Sequence, residues 1–222
     1  MRDLRKTDAY FKEYISYEQG RIQKKTEKLM QCDNEEKAGR IRNSLFLYQM
    51  NILIASFSEG RGKAGLKTLL QQCCDTAQRL SALGYEDALR IASFSTMLEC
   101  PKEICAVVKR FPMVFESDKL LRGLVSFAET GTAVWSGEYK FPEVYAGMDT
   151  VLEAENKEEQ EKALLEYLNG WYERNRESAW YDTADSTNNV YYGYWSFESA
   201  AVATVLKLNP ATLAQNKYFP KL

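Results

Sequence analysis

Tyr191-Tyr192-Gly193-Tyr194-Trp195-Ser196-Phe197-Glu198-Ser199-Ala200-Ala201-Val202-Ala203-Thr204-Val205-Leu206 is the most apolar run of the chain, and its reading decides the fold. Four aromatics lead into Ala, Val and Leu with no polar face, the pattern of a helix covered on several sides rather than one lying on a surface. Pro210 punctuates the run. The residue before a proline is pushed out of the helical region, so the helix is expected to stop at or before Asn209. Gly193 would let a neighbouring backbone come close. On such a helix Glu198 has Tyr194, Trp195 and Val202 three or four positions away, which places a carboxylate in apolar company where it must be satisfied.

Outward from this run, helical periodicity is nearly continuous. Leu4, Phe11, Ile15, Ile22 and Leu29 repeat at helical spacing and predict a long first helix ending near Gln31. Asp33 stands three residues before Glu36, a capping pattern, and Ala38, Ile41, Leu45, Tyr48, Ile52 and Ala55 follow in steps of three and four up to Gly60 and Gly62. Two more helices are predicted around Leu66–Leu80, ending at Gly84, and Ala88–Leu98. A short one follows Pro101. Ser117 or Asp118 caps the next, closed by Gly131. Residues 131–140 read as a loop, and Pro142 can start a helix running through Leu152. Asn156 with Glu159 forms a capping pair for a helix that buries Leu164, Leu168, Trp171 and Tyr172. No stretch alternates like a strand. The expectation is an all-α, multi-helix bundle of roughly eight to ten helices, with N-terminal and C-terminal helical halves packed together.

The composition removes many functions. There is no histidine, which excludes Ser-His and Cys-His arrangements and deprives any metal site of its commonest ligand. Glu155, Glu158, Glu159 and Glu161 are spaced like carboxylates of a di-iron bundle, but such sites also use histidines. The five cysteines form no Cys-x-x-Cys pair and suggest free thiols. Gly60-Arg61-Gly62-Lys63 lies between two helices without phosphate-loop spacing. No apolar run approaches the roughly 20 residues of a membrane span and the N-terminus has no signal-like core, so a cytoplasmic protein without cofactor is expected. Glu198 could serve as a general acid, but no second catalytic group accompanies it. A carboxylate held by Tyr or Trp donors, or by amides at a helix start, is the better reading.

The formal charge of −2 hides an asymmetry. Residues 1–110 carry 19 Lys and Arg against 14 Asp and Glu, a balance of +5, whereas residues 111–222 carry 10 against 17, a balance of −7. Within Glu138–Glu198 the balance is −9, with 14 acids and 5 bases. Such a surface repels nucleic acid and suits a basic protein partner; the alternative is a merely solvated helical face. For the same reason the clustered aromatics of this region read as core rather than as a base-stacking platform.

Tyr167-Leu168-Asn169-Gly170-Trp171-Tyr172, then Trp180-Tyr181-Asp182, then Tyr192-Gly193-Tyr194-Trp195-Ser196-Phe197-Glu198-Ser199-Ala200-Ala201-Val202, and finally Tyr218-Phe219-Pro220 together resemble the C-terminal domain of the PoNi immunity proteins. Those are the antidotes of PoNe polymorphic nuclease toxins. The resemblance is firm from about Leu120 onward and covers the N-terminal half through its helical periodicity. Asn209-Pro210 and Lys221 depart from the family's acidic pattern, near the tail. The resemblance implies a PoNi-like N-terminal helical domain over 1–115, a PoNi-like C-terminal helical domain over 116–222, and a non-enzymatic protein that binds and neutralises a DNase toxin. Trp171, Tyr172, Trp180, Tyr192, Gly193, Tyr194, Trp195 and Glu198 would be motif residues of the scaffold. Glu173, Glu177, Asp182 and Asp185, beside them in the most acidic region, are the candidates for contact with a basic toxin, with no direct nucleic-acid or membrane partner. A helical adaptor for another basic protein is the alternative.

Overall fold

The computed structural model describes residues 1–222. It is all-α: twelve α-helices and one 3₁₀ turn, with no strand. Eight of the helices have ten or more residues. No helix is long and apolar enough to cross a membrane. The chain forms two compact units, one of residues 1–83 with 182–193, the other of 84–181 with 194–222.

The first unit is built on α1 (Asp8–Met30), α2 (Glu35–Glu59) and α3 (Lys63–Ala77). Thr7 caps α1 through its side chain, which accepts from the Tyr10 amide. Asn34, not Asp33, caps α2, accepting from the Lys37 amide at 2.8 Å; both residues can cap, and a sequence pattern fixes such a boundary only to within a residue or two. Gly60 ends α2 with φ +109°, and a Cβ there would come 2.9 Å from the Met1 nitrogen. The core joins Phe11, Tyr14 and Ile15 of α1 to Phe46, Met50, Leu53 and Phe57 of α2 and Leu66, Leu70 and Cys73 of α3. Burying each of the larger apolar side chains contributes about 1.5–3 kcal/mol. From Met50 to Ser58 every residue of α2 is buried. α3 stops at Ala77, short of the expected Gly84, and Leu80 and Leu83 stay buried in the turn that follows.

Glu18 lies inside the apolar stripe of α1, 2% exposed. The Tyr14 hydroxyl donates to it at 3.1 Å, Arg21 Nη1 at 3.0 and 3.2 Å, and Asn51 Nδ2 at 3.4 Å. The buried charge is thus paired and hydrogen-bonded. Segment 182–193 is tied to the same unit. The Tyr10 hydroxyl donates to the Tyr191 carbonyl and accepts from its amide, both at 3.0 Å, while Ser58 Oγ donates to the Tyr192 carbonyl at 2.8 Å and the Tyr191 hydroxyl donates to Asp3.

The second unit comprises α4 (Tyr85–Met97), α5 (Pro101–Arg110), α6 (Pro112–Phe115), α7 (Lys119–Thr130), α8 (Pro142–Tyr145), α9 (Met148–Glu153), α10 (Lys157–Arg174), α11 (Phe197–Leu206) and α12 (Pro210–Leu213). Its centre is α11, buried on every side from Phe197 to Ala203 and packed against α4, α7 and α10. Phe94 and Phe197 meet with ring centroids 4.3 Å apart. The helix is shorter than its sequence suggested. Tyr191–Ser196 is not helical: Gly193 takes φ +129°, and the Ser196 amide donates to the Tyr218 carbonyl at 2.9 Å instead of joining an earlier turn. The helix ends with Lys207 in the left-handed conformation, and Asn209 then caps α12, where Pro210 stands at the first position. The helix expected over 142–152 is two, α8 and α9, separated at Ala146-Gly147.

Asp118 caps α7 as expected and does more. Its Oδ1 accepts from the Leu120 and Leu121 amides at 2.8 and 3.1 Å, and its Oδ2 accepts from the Lys140 amide at 2.8 Å, which pins the far end of the 131–140 loop to the helix start.

Candidate functional site

The motif residues of the second unit gather around one carboxylate. Glu198 sits in the first turn of α11, 6% exposed, where the helix N-terminus favours negative charge. Its Oε1 accepts from Ser196 Oγ at 2.6 Å, Trp171 Nε1 at 2.7 Å and the Tyr167 hydroxyl at 3.0 Å. Burial pushes its pKa up, opposed by these hydrogen bonds. Tyr167 and Trp171 stand four positions apart on α10 and so reach the same point. Tyr194 and Trp195 precede the helix, so they are not its helical neighbours.

Beside this carboxylate lies a continuous aromatic cluster. Trp171 stacks on Trp180, with centroids 5.2 Å apart and planes at 14°, and Tyr172 stacks on Tyr181 at 4.4 Å and on Tyr218 at 5.4 Å. Tyr194 meets both Tyr172 and Trp180, at 5.1 and 5.6 Å. Trp180 donates its indole N–H to Glu86 at 2.9 Å. Tyr218 and Phe219 of the tail are buried, so the terminal motif closes this cluster. Trp195 is also buried. Rings packed against one another, with the Trp171 and Trp180 indole N–H groups and the Tyr181 hydroxyl committed to carboxylates, form a scaffold, not an open face for a ligand. Of the remaining motif residues, Tyr192 and Gly193 belong to the first unit, where Tyr192 packs at 6.4 Å from Tyr14.

The four candidate contact residues are all exposed. Glu173 lies near the end of α10 and accepts from the Tyr181 hydroxyl at 3.2 Å; Glu177 follows the helix, 3.6 Å from Arg176. Asp182, in the left-handed conformation, precedes the 3₁₀ turn Thr183–Asp185 that Asp185 closes. Glu173 and Glu177 belong to the second unit, Asp182 and Asp185 to the first. Two further acids, Glu159, read above only as a capping residue and metal-ligand candidate, and Glu166, are exposed as well. They lie on α10 at intervals of seven from Glu173, so the three share one face of the helix. Sequence reasoning left out Tyr167 and Ser196 as donors to Glu198; the four-residue spacing of Tyr167 and Trp171 was the available signal.

No group of three or more Cys, Asp and Glu side chains is placed to hold a metal ion. The five cysteines are free thiols, with Cys73, Cys74 and Cys100 buried.

Residues 2–110 match the family model of the PoNe immunity protein (PoNi) N-terminal region, and residues 116–222 match that of the PoNi C-terminal region. The chain belongs to the PoNi family. PoNi proteins are inhibitors, so this PoNi protein is not an enzyme. The crystal structure of protein PA2201 from Pseudomonas aeruginosa has the same fold, with a TM-score of 0.65 at 18% identity over 82% of this chain and 72% of that one. Among curated proteins none matches the chain.

Proposed function

We propose that this PoNi protein binds its cognate PoNe DNase toxin in the cytoplasm and neutralises it through an acidic surface of the C-terminal half. The observation that carries the reading is the match of both family regions, in order, along almost the whole chain. Their division between 110 and 116 also supports reading 1–115 and 116–222 as the N-terminal and C-terminal domains in the family's sense.

The binding surface is inferred from charge and exposure. A DNase presents a basic cleft to its substrate, and a protein face of opposite sign steers rapid encounter with it. Glu173, Glu177, Asp182 and Asp185 are exposed, and Glu159 and Glu166 extend the acidic line along α10. The buried motif residues Trp171, Trp180, Tyr194, Trp195 and Glu198, with the half-buried Tyr172, hold α10 and residues 175–181 of the same unit in place, which supports Glu173 and Glu177.

Co-expression with the PoNe toxin encoded beside the gene tests the proposal, scoring survival of the host and recovery of the complex. Survival with a stable complex is the expected result. No rescue and no complex would leave a helical adaptor for another basic protein.

A further inference from the structure

The acidic surface has a counterpart of opposite sign in the first unit. Arg21, Lys24, Lys25 and Lys28 recur on α1 at spacings of three, four and seven, which puts all four on one face of the helix. Together with Tyr48 of α2 they line a cavity of about 150 Å³, and no carboxylate is among the lining residues. Like charges so spaced repel one another and cost helix stability, yet the groove gathers them.

Arg21 is held in place. Its guanidinium carbon lies 3.7 Å from the centre of the Tyr48 ring and 5.5 Å from that of Tyr17, and Glu18 engages its Nη1. Glu18 therefore balances Arg21 and leaves the three lysines uncompensated. Lys25 reaches only the Ser44 hydroxyl, at 3.4 Å, and neither Lys24 nor Lys28 has an ion-pair partner. Glu27, the one acid between Arg21 and Lys28, is engaged by Gln23 at 3.2 Å.

We propose that this groove between α1 and α2 is a binding site for a compact, multiply charged phosphate anion, free or carried by a nucleotide. Three ammonium groups on long side chains suit the dispersed charge of a di- or triphosphate, and the fixed guanidinium supplies directional N–H donors at one end. The cavity is short, lined by about two turns of helix, so it takes a small anion and not a length of duplex. The site shares no residue with the toxin-binding surface, and its proposal is independent of that one.

Calorimetric titration of the full-length protein with inorganic pyrophosphate, and separately with ADP and a short DNA duplex, tests this. Saturable binding of one pyrophosphate is expected, weakening as salt is raised. Lys24→Glu with Lys28→Glu should weaken it about tenfold or more, because both ammonium groups are exposed, unpaired and face the anion directly. The double variant Lys102→Glu with Lys109→Glu makes the same change in net charge on exposed residues of α5 and should leave it unaltered. ADP binding like pyrophosphate would assign a nucleotide source, and pyrophosphate binding alone would assign a free anion. Absent or non-saturable binding, equal loss in both double variants, or binding of duplex without pyrophosphate would overturn the proposal. Circular dichroism melting of each variant establishes that it is folded.

Discussion

Trp171 donates its indole N–H to Glu198 Oε1 at 2.7 Å, joining α10 to the first turn of α11 across 27 residues of sequence. The same oxygen takes the Tyr167 and Ser196 hydroxyls. One carboxylate thereby orients the two helices that carry Trp171, Tyr172 and Glu198 of the family motif, and it does so inside an apolar, aromatic environment where an unmatched polar group is costly.

Glu198→Ala leaves that indole N–H and two hydroxyls without their acceptor, and should destabilise the protein by about 2–4 kcal/mol in urea unfolding. Glu198→Gln retains an acceptor and removes the charge, which exposes the pH linkage. Burial raises the carboxyl's pKa in the folded state above its unfolded value. Its titration-linked contribution is therefore fully present below the unfolded glutamate pKa, about 4.3, and is lost as pH rises through the folded value. The stability of wild type relative to Glu198→Gln should fall across that window. A difference independent of pH would show that the carboxyl is not perturbed.

The fold class was legible because period, caps and breakers agree. Asp118, Asn156, Gly60 and Gly131 all act at the helix ends where their chemistry put them. What the sequence concealed depends on tertiary contact. Tyr191–Ser196 has the apolar character of a buried helix, but its backbone groups are taken elsewhere: the Tyr191 amide by the Tyr10 hydroxyl and the Ser196 amide by the Tyr218 carbonyl. An apolar run shows that a segment is buried and does not by itself say in which conformation. The site was half legible for the same reason. Glu198 stood out as a carboxylate in apolar company, but its donors on α10 lie 27 and 31 residues away. Glu18 escaped notice because Tyr14, Glu18 and Arg21 are polar residues that mimic a solvated face, when they form a closed network within the core.

Gly123→Ala sets two effects against each other. Alanine in the middle of α7 gains about 1 kcal/mol of helix propensity. A Cβ at this position would lie 1.8 Å from a ring carbon of Trp135, well inside van der Waals contact. Overpacking of this kind costs about 1–3 kcal/mol. The ring belongs to the 131–140 loop and can be displaced, so a net loss of up to about 2 kcal/mol is expected, with a change in tryptophan emission as Trp135 moves toward solvent. Unchanged emission with increased stability would show that the ring does not cover the helix there.

Tyr191→Phe removes one hydrogen bond from Asp3, which is 1% exposed and keeps Arg5 at 3.2 Å and the Arg5 amide at 2.9 Å on its other oxygen. The freed carboxylate oxygen stays buried, and the loss should be about 1–3 kcal/mol. Because Tyr191 anchors segment 182–193 to the first unit, hydrogen exchange at the Tyr191 amide should accelerate along with global destabilisation. Protection equal to that of wild type would place the anchor in Tyr10 and Ser58 alone.

Reversing the acidic charges tests the toxin-binding surface directly, and the two pairs are best changed separately because they belong to different compact units. Glu173→Lys with Glu177→Lys alters two exposed positions near the end of α10. Asp182→Asn with Asp185→Lys keeps at position 182 a residue that tolerates its left-handed backbone. Rim charges act mainly on encounter, so each double variant should lower the association rate constant for the toxin several-fold and flatten its dependence on ionic strength, with little change in dissociation. Glu159→Lys with Glu166→Lys should do the same if the line along α10 faces the partner. Stopped-flow association at low and high salt separates the three pairs. A pair whose rate equals that of wild type at low salt lies outside the surface, and three such pairs would remove the acidic face from the mechanism.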